Sequence, residues 1–232
     1  MSLKDDLAKE VKETFSTRWD TQSARIIPEP KDLRLNANHA KDLERATILY
    51  ADLDGSTSMV DTLSWQISAE IYKTYLRCAS QLIRSENGSI TAYDGDRVMA
   101  VFTGDTQSTS AVRCALKINH AVCEIIRPAF KTNYPSQNFT IKHVVGVDTS
   151  PMRVARIGVH GDNDLVWVGR AANYAAKLTA LSGKATWITK AVYDVMHESV
   201  KYTKGASMWE QRSWGAMNDT PIYFSTNMRP VG

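Results

Sequence analysis

The stretch Thr47-Ile48-Leu49-Tyr50-Ala51-Asp52-Leu53-Asp54-Gly55-Ser56-Thr57-Ser58 decides how the chain is read. Its first half is apolar and rich in strand formers, so residues 47–53 predict a buried strand that carries Asp52 to its end. Its second half is a turn of small residues. Beyond it, residues 64–87 have the apolar spacing of a long amphipathic helix, which Gly88 is expected to close from the C′ position. A turn made of Gly55, Ser56 and Thr57 at a helix start presents free backbone N–H groups to an anion. Carboxylates therefore stand beside a place suited to phosphate.

Downstream, residues 89–93 and 97–103 predict two short strands joined through Asp94-Gly95-Asp96, a tight hairpin signal with an acidic tip. If these strands neighbour the first one, Asp96 comes to lie beside Asp52. Two carboxylates at one point repel unless a cation lies between them. Hard divalent ions fit such a pair, because they prefer oxygen ligands and keep positions open for triphosphate oxygens. An isolated Asp-Gly is usually only a turn, but two such clusters flanking one helix argue together for a site. Residues 106–130 return to helical period, 139–147 and 153–159 read as strands, and 169–181 and 191–198 read as helices. The order β-α-β-β-α-β with further α and β elements predicts an α+β fold, a mixed or antiparallel sheet with helices on one face.

A chain of 232 residues with 43% apolar and 23% charged residues can bury one sizeable core. Residues 1–45 are expected to form an N-terminal helix and linker, and residues 46–232 the main domain. The helix carries Leu7, Val11, Phe15 and Trp19 at helical spacing and is too polar to fold alone, so it should dock on its own domain or on a partner chain. The net charge of +3 comes without any long Lys or Arg block, which excludes a nucleic-acid track. The first twelve residues are charged and no apolar run is long enough to span a bilayer, so a soluble, cytoplasmic protein away from membranes is expected. Three cysteines without CxxC spacing and five scattered histidines offer no thiolate or imidazole metal site.

Three motifs carry a family resemblance. Tyr50-Ala51-Asp52-Leu53-Asp54-Gly55-Ser56-Thr57 resembles the first metal motif of class III adenylate and guanylate cyclases, and Gly95-Asp96-Arg97-Val98-Met99-Ala100-Val101-Phe102 resembles the second. Val168-Gly169-Arg170-Ala171-Ala172-Asn173-Tyr174-Ala175-Ala176-Lys177-Leu178 is similar to the helix that carries the family's transition-state Asn and, four residues on, a phosphate-binding Arg. Three motifs in the right order are far more specific than one. The resemblance spans residues 47–224 and implies a ferredoxin-like βαββαβ catalytic domain with additional C-terminal elements.

It further implies that Asp52, Asp96 and the Leu53 backbone carbonyl hold two divalent metal ions, Mn²⁺ or Mg²⁺, that Asn173 positions the ribose, and that Lys177 neutralises phosphate charge. Lys offers a point charge where the family's Arg is forked. Because the family builds each site between two cyclase domains, the resemblance implies a homodimer with metals from one copy and Asn173 from the other.

The departures concern the base. Purine cyclases of this type read it with polar residues four before the second metal Asp and seven before the Asn; here those positions are Ala92 and Val166. Neither reads a purine edge. Tyr50, Tyr93 and Arg97 are the groups nearest the implied pocket and would shorten it for a pyrimidine. The whole chain resembles the pyrimidine cyclases of bacterial Pycsar antiphage systems, which implies cyclic UMP made from UTP as a second messenger for a downstream effector. Cyclic CMP, or a purine product, stays open. Two other classes also stay open: Asp52-Leu53-Asp54-Gly55-Ser56 resembles the nucleophile motif of haloacid-dehalogenase phosphatases, and the altered base positions would suit a non-catalytic nucleotide-binding regulator. No GxGxxG follows a strand and no GxxxxGK[ST] occurs, which excludes Rossmann and Walker A readings.

Overall fold

The computed structural model describes residues 2–232. Along the chain lie helix α1 (Leu3–Ser16), strands β1 (Asp20–Ser23) and β2 (His39–Asp54), helices α2 (Ser56–Thr62) and α3 (Trp65–Ser85), strands β3 (Ser89–Asp94) and β4 (Arg97–Phe102), and helix α4 (Gln107–His120). A π turn (Ala121–Ile126) leads into α5 (Arg127–Asn133), and β5 (Lys142–Val159), β6 (Asp162–Val168), α6 (Arg170–Leu178), β7 (Thr186–Thr189) and α7 (Lys190–Val195) follow. The last strands are β8 (Tyr202–Thr203), β9 (Ala206–Ser207), β10 (Glu210–Trp214) and β11 (Thr220–Ser225). The chain divides into two compact units, one of residues up to Arg45 with Pro151–Gly169, the other of Ala46–Ser150 with Arg170–Gly232.

In the larger unit the strand order is β10-β11-β7-β5-β2-β4-β3. The succession β2-α3-β3-β4-α4-β5 with neighbours β5-β2-β4-β3 is the ferredoxin-like arrangement expected from the sequence. Strands β2 and β4 are antiparallel, with Thr47 opposite Phe102 and Ala51 opposite Val98, and β7 joins β5 in parallel. Alternation along β2 sends Leu49, Ala51 and Leu53 to one face, where they pack with Val98, Ala100 and Phe102 of β4 and with α3 and α4. Tyr50 and Asp52 consequently take the other face.

That second face is not bare. Leu178 of α6 packs there with Val144, Trp187, Trp214, Ile222 and Phe224. The expectation of helices on one face only is corrected by α6, and Gly146 shows why it can approach: a Cβ added there would stand 2.2 Å from the Ala175 carbonyl oxygen. Gly88 also acts by closeness. The left-handed residue after α3 is Asn87 (φ 62°), whereas a Cβ on Gly88 would stand 2.5 Å from the Phe102 ring. The predicted helix over 106–130 is interrupted by the π turn. Pro128, in the first turn of α5, has no N–H to close the α-helical ladder.

In the smaller unit β1 pairs in parallel with β2, from Asp20 opposite His39 to Ser23 opposite Asp42. The predicted strands 139–147 and 153–159 merge, from Lys142 on, into one strand, β5, whose second half pairs with β6 across Gly161 (φ 92°), a hairpin that the sequence reading did not anticipate. Helix α1 opens with a Ser2–Asp5 capping box, and the Asn38 amide holds the Thr14 and Thr17 carbonyls at 2.7 Å each. No residue of α1 is buried. Its apolar stripe, expected to dock, is exposed up to 88% at Phe15. Among the described residues no helix is long and apolar enough to cross a membrane.

Candidate active site

Extending the β2–β4 register one step past Ala51–Val98 sets Asp52 across from Arg97, beside the Gly95–Asp96 turn. The two acids thus lie at one end of the sheet, near enough for the Asp96 charge to act on Asp52. Asp52 is half-buried, and its carboxyl is pushed up to about 6, first by burial and then by the negative charge of Asp96. The Arg97 guanidinium, the Thr179 hydroxyl and the Leu53 N–H act in the opposite direction. The Asp52 carbonyl accepts a bond from the fully buried Tyr75 hydroxyl at 3.2 Å, which fixes the strand end. Asp96 Oδ2 is buried with no hydrogen-bond partner.

A buried, unpartnered carboxylate oxygen beside a half-buried carboxylate of raised pKa is unfavourable in a protein without a counter-charge. Among the described residues no group of three or more His, Cys, Asp or Glu side chains is placed to hold a metal ion. The side chains that converge at this point, Asp52 and Asp96, offer carboxylate oxygens, with the Leu53 backbone at the same strand end. This set suits a hard divalent cation that keeps several open positions.

Tyr50 lies on the same face, its hydroxyl donating to Met99 Sδ at 3.0 Å and its ring 5.4 Å from the Arg97 guanidinium carbon. Burial pushes the Tyr50 phenol up. Arg97 donates to Asp94 at 3.0 Å, and its Nε is buried without a partner. Gly55, in the left-handed region at φ 79°, turns the chain into α2, which begins with Ser56 and Thr57; the Ser56 hydroxyl engages Tyr72 of α3. Tyr93 is placed elsewhere. It pairs with Val98, whose side chain belongs to the main core, and its hydroxyl bonds to Ser80 of α3 at 2.8 Å. Strict alternation from the β4 pairing takes Tyr93 away from the face of Tyr50, which corrects its assignment to substrate binding.

Asn173 and Lys177 sit one turn apart on α6 and are both exposed. Lys177 Nζ lies 3.7 Å from Met217 Sδ, and neither residue forms a hydrogen bond or ion pair with Asp52 or Asp96 of its own chain among the described residues. The helix is fixed at its start. Arg170 grips the buried Asp148 through two bonds of 3.1 Å and the Thr149 carbonyl at 2.8 Å, while the Ala171 N–H donates to Ser150 Oγ at 3.0 Å. Thr189 donates to the same carboxylate, so the buried charge is matched on both oxygens.

Two residues near the acids escape the sequence reading. Tyr72 faces the Asp96 charge, and Thr179, just past α6, reaches Asp52. A helical Tyr and a Thr at a helix end read as ordinary surface and capping residues, so no local signal could single them out. Cavities of about 340 and 470 Å³ lie beside α5, away from the two acids, and a smaller recess is lined by Leu53, Asp54 and Ser56.

No family model matches the chain. Among curated proteins it is 61% identical to a uridylate cyclase of Burkholderia cepacia over 94% of both chains, and 48% identical to a uridylate cyclase of Xanthomonas perforans over 97% of both. A uridylate cyclase of Rhodovulum sp. (strain MB263) is 38% identical over the full chain and 99% of its own length. Of solved structures, a bacterial light-regulated adenylyl cyclase superposes on 83% of this chain and 55% of its own with a TM-score of 0.68 at 18% identity. The adenylyl cyclase CyaB from P. aeruginosa covers 82% of this chain and 97% of its own with a TM-score of 0.65 at 18% identity. These likenesses fix the fold. The antiparallel pairing of β2 with β4 at the Asp52 end also sets aside the phosphatase reading, which needs a parallel sheet around its nucleophile.

Proposed function

Because the chain belongs to the uridylate cyclases and folds as a class III nucleotide cyclase domain, we propose that it converts UTP into 3′,5′-cyclic UMP and pyrophosphate. The observation that carries the reading is the convergence of Asp52 and Asp96 with an unpartnered carboxylate oxygen between strand end and hairpin tip. In the reaction a bond forms between the ribose O3′ and the α-phosphorus, the bond from that phosphorus to the bridging oxygen of pyrophosphate breaks, and the hydroxyl proton leaves to water or substrate phosphate. Asp52, Asp96 and the Leu53 carbonyl would hold two divalent ions, Mg²⁺ or Mn²⁺. When bound, such ions supply the positive charge that stabilises the entering and leaving oxygens of an in-line displacement.

The chain's own residues do the rest. The acids position the cation-bound triphosphate, and the turn at Gly55, Ser56 and Thr57 offers its N–H groups to the phosphates. Asn173 orients the ribose and Lys177 balances phosphate charge. Both point to solvent on α6, which supports a homodimer in which they serve the acids of the second copy. Tyr50 and Arg97 occupy the face where the base would lie, their side chains 5.4 Å apart from ring to guanidinium, which supports a pocket shortened for a pyrimidine. The catalytic domain so assigned is residues 46–232, with 1–45 appended. Its substrate is a cytoplasmic nucleotide, so the enzyme acts in the cytoplasm, and the resemblance to Pycsar cyclases supports a product that signals to an effector in antiphage defence.

Incubating the purified protein with each of the four nucleoside triphosphates and Mn²⁺, and resolving products by mass, tests this directly. Cyclic UMP and pyrophosphate are expected. Cyclic CMP would move the assignment to the other pyrimidine, whereas cyclic AMP as the main product, or release of phosphate alone, would overturn it.

A further inference from the structure

Buried side-chain polar atoms nearly always have a partner, so a group of exceptions calls for an explanation. Three fall within seven residues of the β3–β4 hairpin: Thr91 Oγ1, Asp96 Oδ2 and Arg97 Nε. The cation site accounts for the Asp96 oxygen. Thr91 plays no part in the site described so far.

The strand pairing shows where Thr91 stands. Ile90 is opposite Ala100 and Tyr93 opposite Val98, and both partners belong to the main core. Between them the register shifts, so that Ala92 faces Met99 and Thr91 is the extra residue of a β-bulge. Alternation outward from Ile90 sends Thr91 to the opposite face, and alternation back from Tyr93 sends Ala92 there too. Met99 is the residue paired with Tyr50, and its sulfur accepts the Tyr50 hydroxyl. The bulge thus adds one hydroxyl-bearing side chain to the face that holds Tyr50 and Asp52.

Folding does not explain that hydroxyl. Left without a partner it lowers stability, and valine, of nearly the same shape, would remove the penalty. Substrate recognition does explain it. We propose that Thr91 is a specificity-determining residue whose hydroxyl bonds the N3–H/O4 edge of the pyrimidine. The assignment rests on the uridylate cyclase reading and deepens it by naming the group that meets the base. A threonine hydroxyl both donates and accepts, so it can meet either atom of that edge, while the donor-only Nε of Arg97 favours the uracil carbonyl over the cytosine amino group. Thr91 is half-buried. A turn of roughly 120° about its Cα–Cβ bond re-aims the hydroxyl into another staggered position without moving the strand.

The test compares wild type, Thr91→Val and Thr91→Ser with UTP and with the triphosphate of 4-deoxyuridine, whose ring lacks both O4 and the N3 proton. Thr91→Val is expected to lower kcat/KM for UTP by roughly 10- to 1,000-fold while changing the analogue's value little, with Tm unchanged or raised and with Thr91→Ser close to wild type. An unaltered kcat/KM for UTP, or an equal loss with both substrates, would overturn the assignment alone. Failure of the wild type to make cyclic UMP would overturn the cyclase reading and this assignment with it.

Discussion

Replacing Asp52 or Asp96 by Asn removes a charge from a point where the protein itself supplies too little compensation. For either variant kcat is expected to fall on the order of 10³-fold, because several kcal/mol of charge stabilisation is lost. Tm should hold or rise for Asp96→Asn, since Asp96 Oδ2 has no hydrogen bond to lose and its charge stands beside that of Asp52. Steady-state rates and thermal melts on the same samples check this; a drop in Tm that parallels the loss of rate would assign the acids a structural role instead. At this scale the sequence was informative where chemistry and position coincide. Asp52 at a strand end before Gly55, and Asp96 in an Asp-Gly-Asp turn, announce themselves. Tyr93 misled because its face depends on a bulge two residues earlier, and Thr91 stayed hidden for the same reason.

At the scale of elements, β5 illustrates how burial becomes a pH dependence. His143 is fully buried with neither ring nitrogen hydrogen-bonded, and its pKa is driven down to about 3 by burial and then by the nearby Arg127 charge. The unfolded chain takes up a proton near the ordinary value of 6.5, the folded one only near 3. Stability from this residue is therefore complete above pH 6.5 and is lost as pH falls toward 3, at up to about 1.4 kcal/mol per unit. Urea unfolding at pH 7 and pH 5 should show a larger decline for wild type than for His143→Leu, and parallel declines would refute the account. The sequence located the strands and helices of the βαββαβ core because apolar period and turn residues agree there. It missed β6 and the second-face position of α6, for different reasons. A hairpin of half-exposed residues has weak alternation, and the glycine that admits α6, Gly146, signals only when its contact with Ala175 is seen.

For the whole molecule the account turns on exposure. Asp52 and Asp96 converge at one end of the sheet while Asn173 and Lys177 are exposed on α6 with no bond to either acid among the described residues, and the proposed dimer would join the two sets across copies. Helix α1 likewise carries an exposed apolar stripe, Leu7, Val11 and Phe15. The most direct measurement mixes two inactive variants, Asp52→Asn and Asn173→Ala, and follows cyclic UMP formation after subunit exchange. A dimer with sites shared between copies predicts recovery of about a quarter of wild-type activity at equal amounts, because half of the dimers are mixed and each has one intact site. A mixture as inactive as its components would contradict the account.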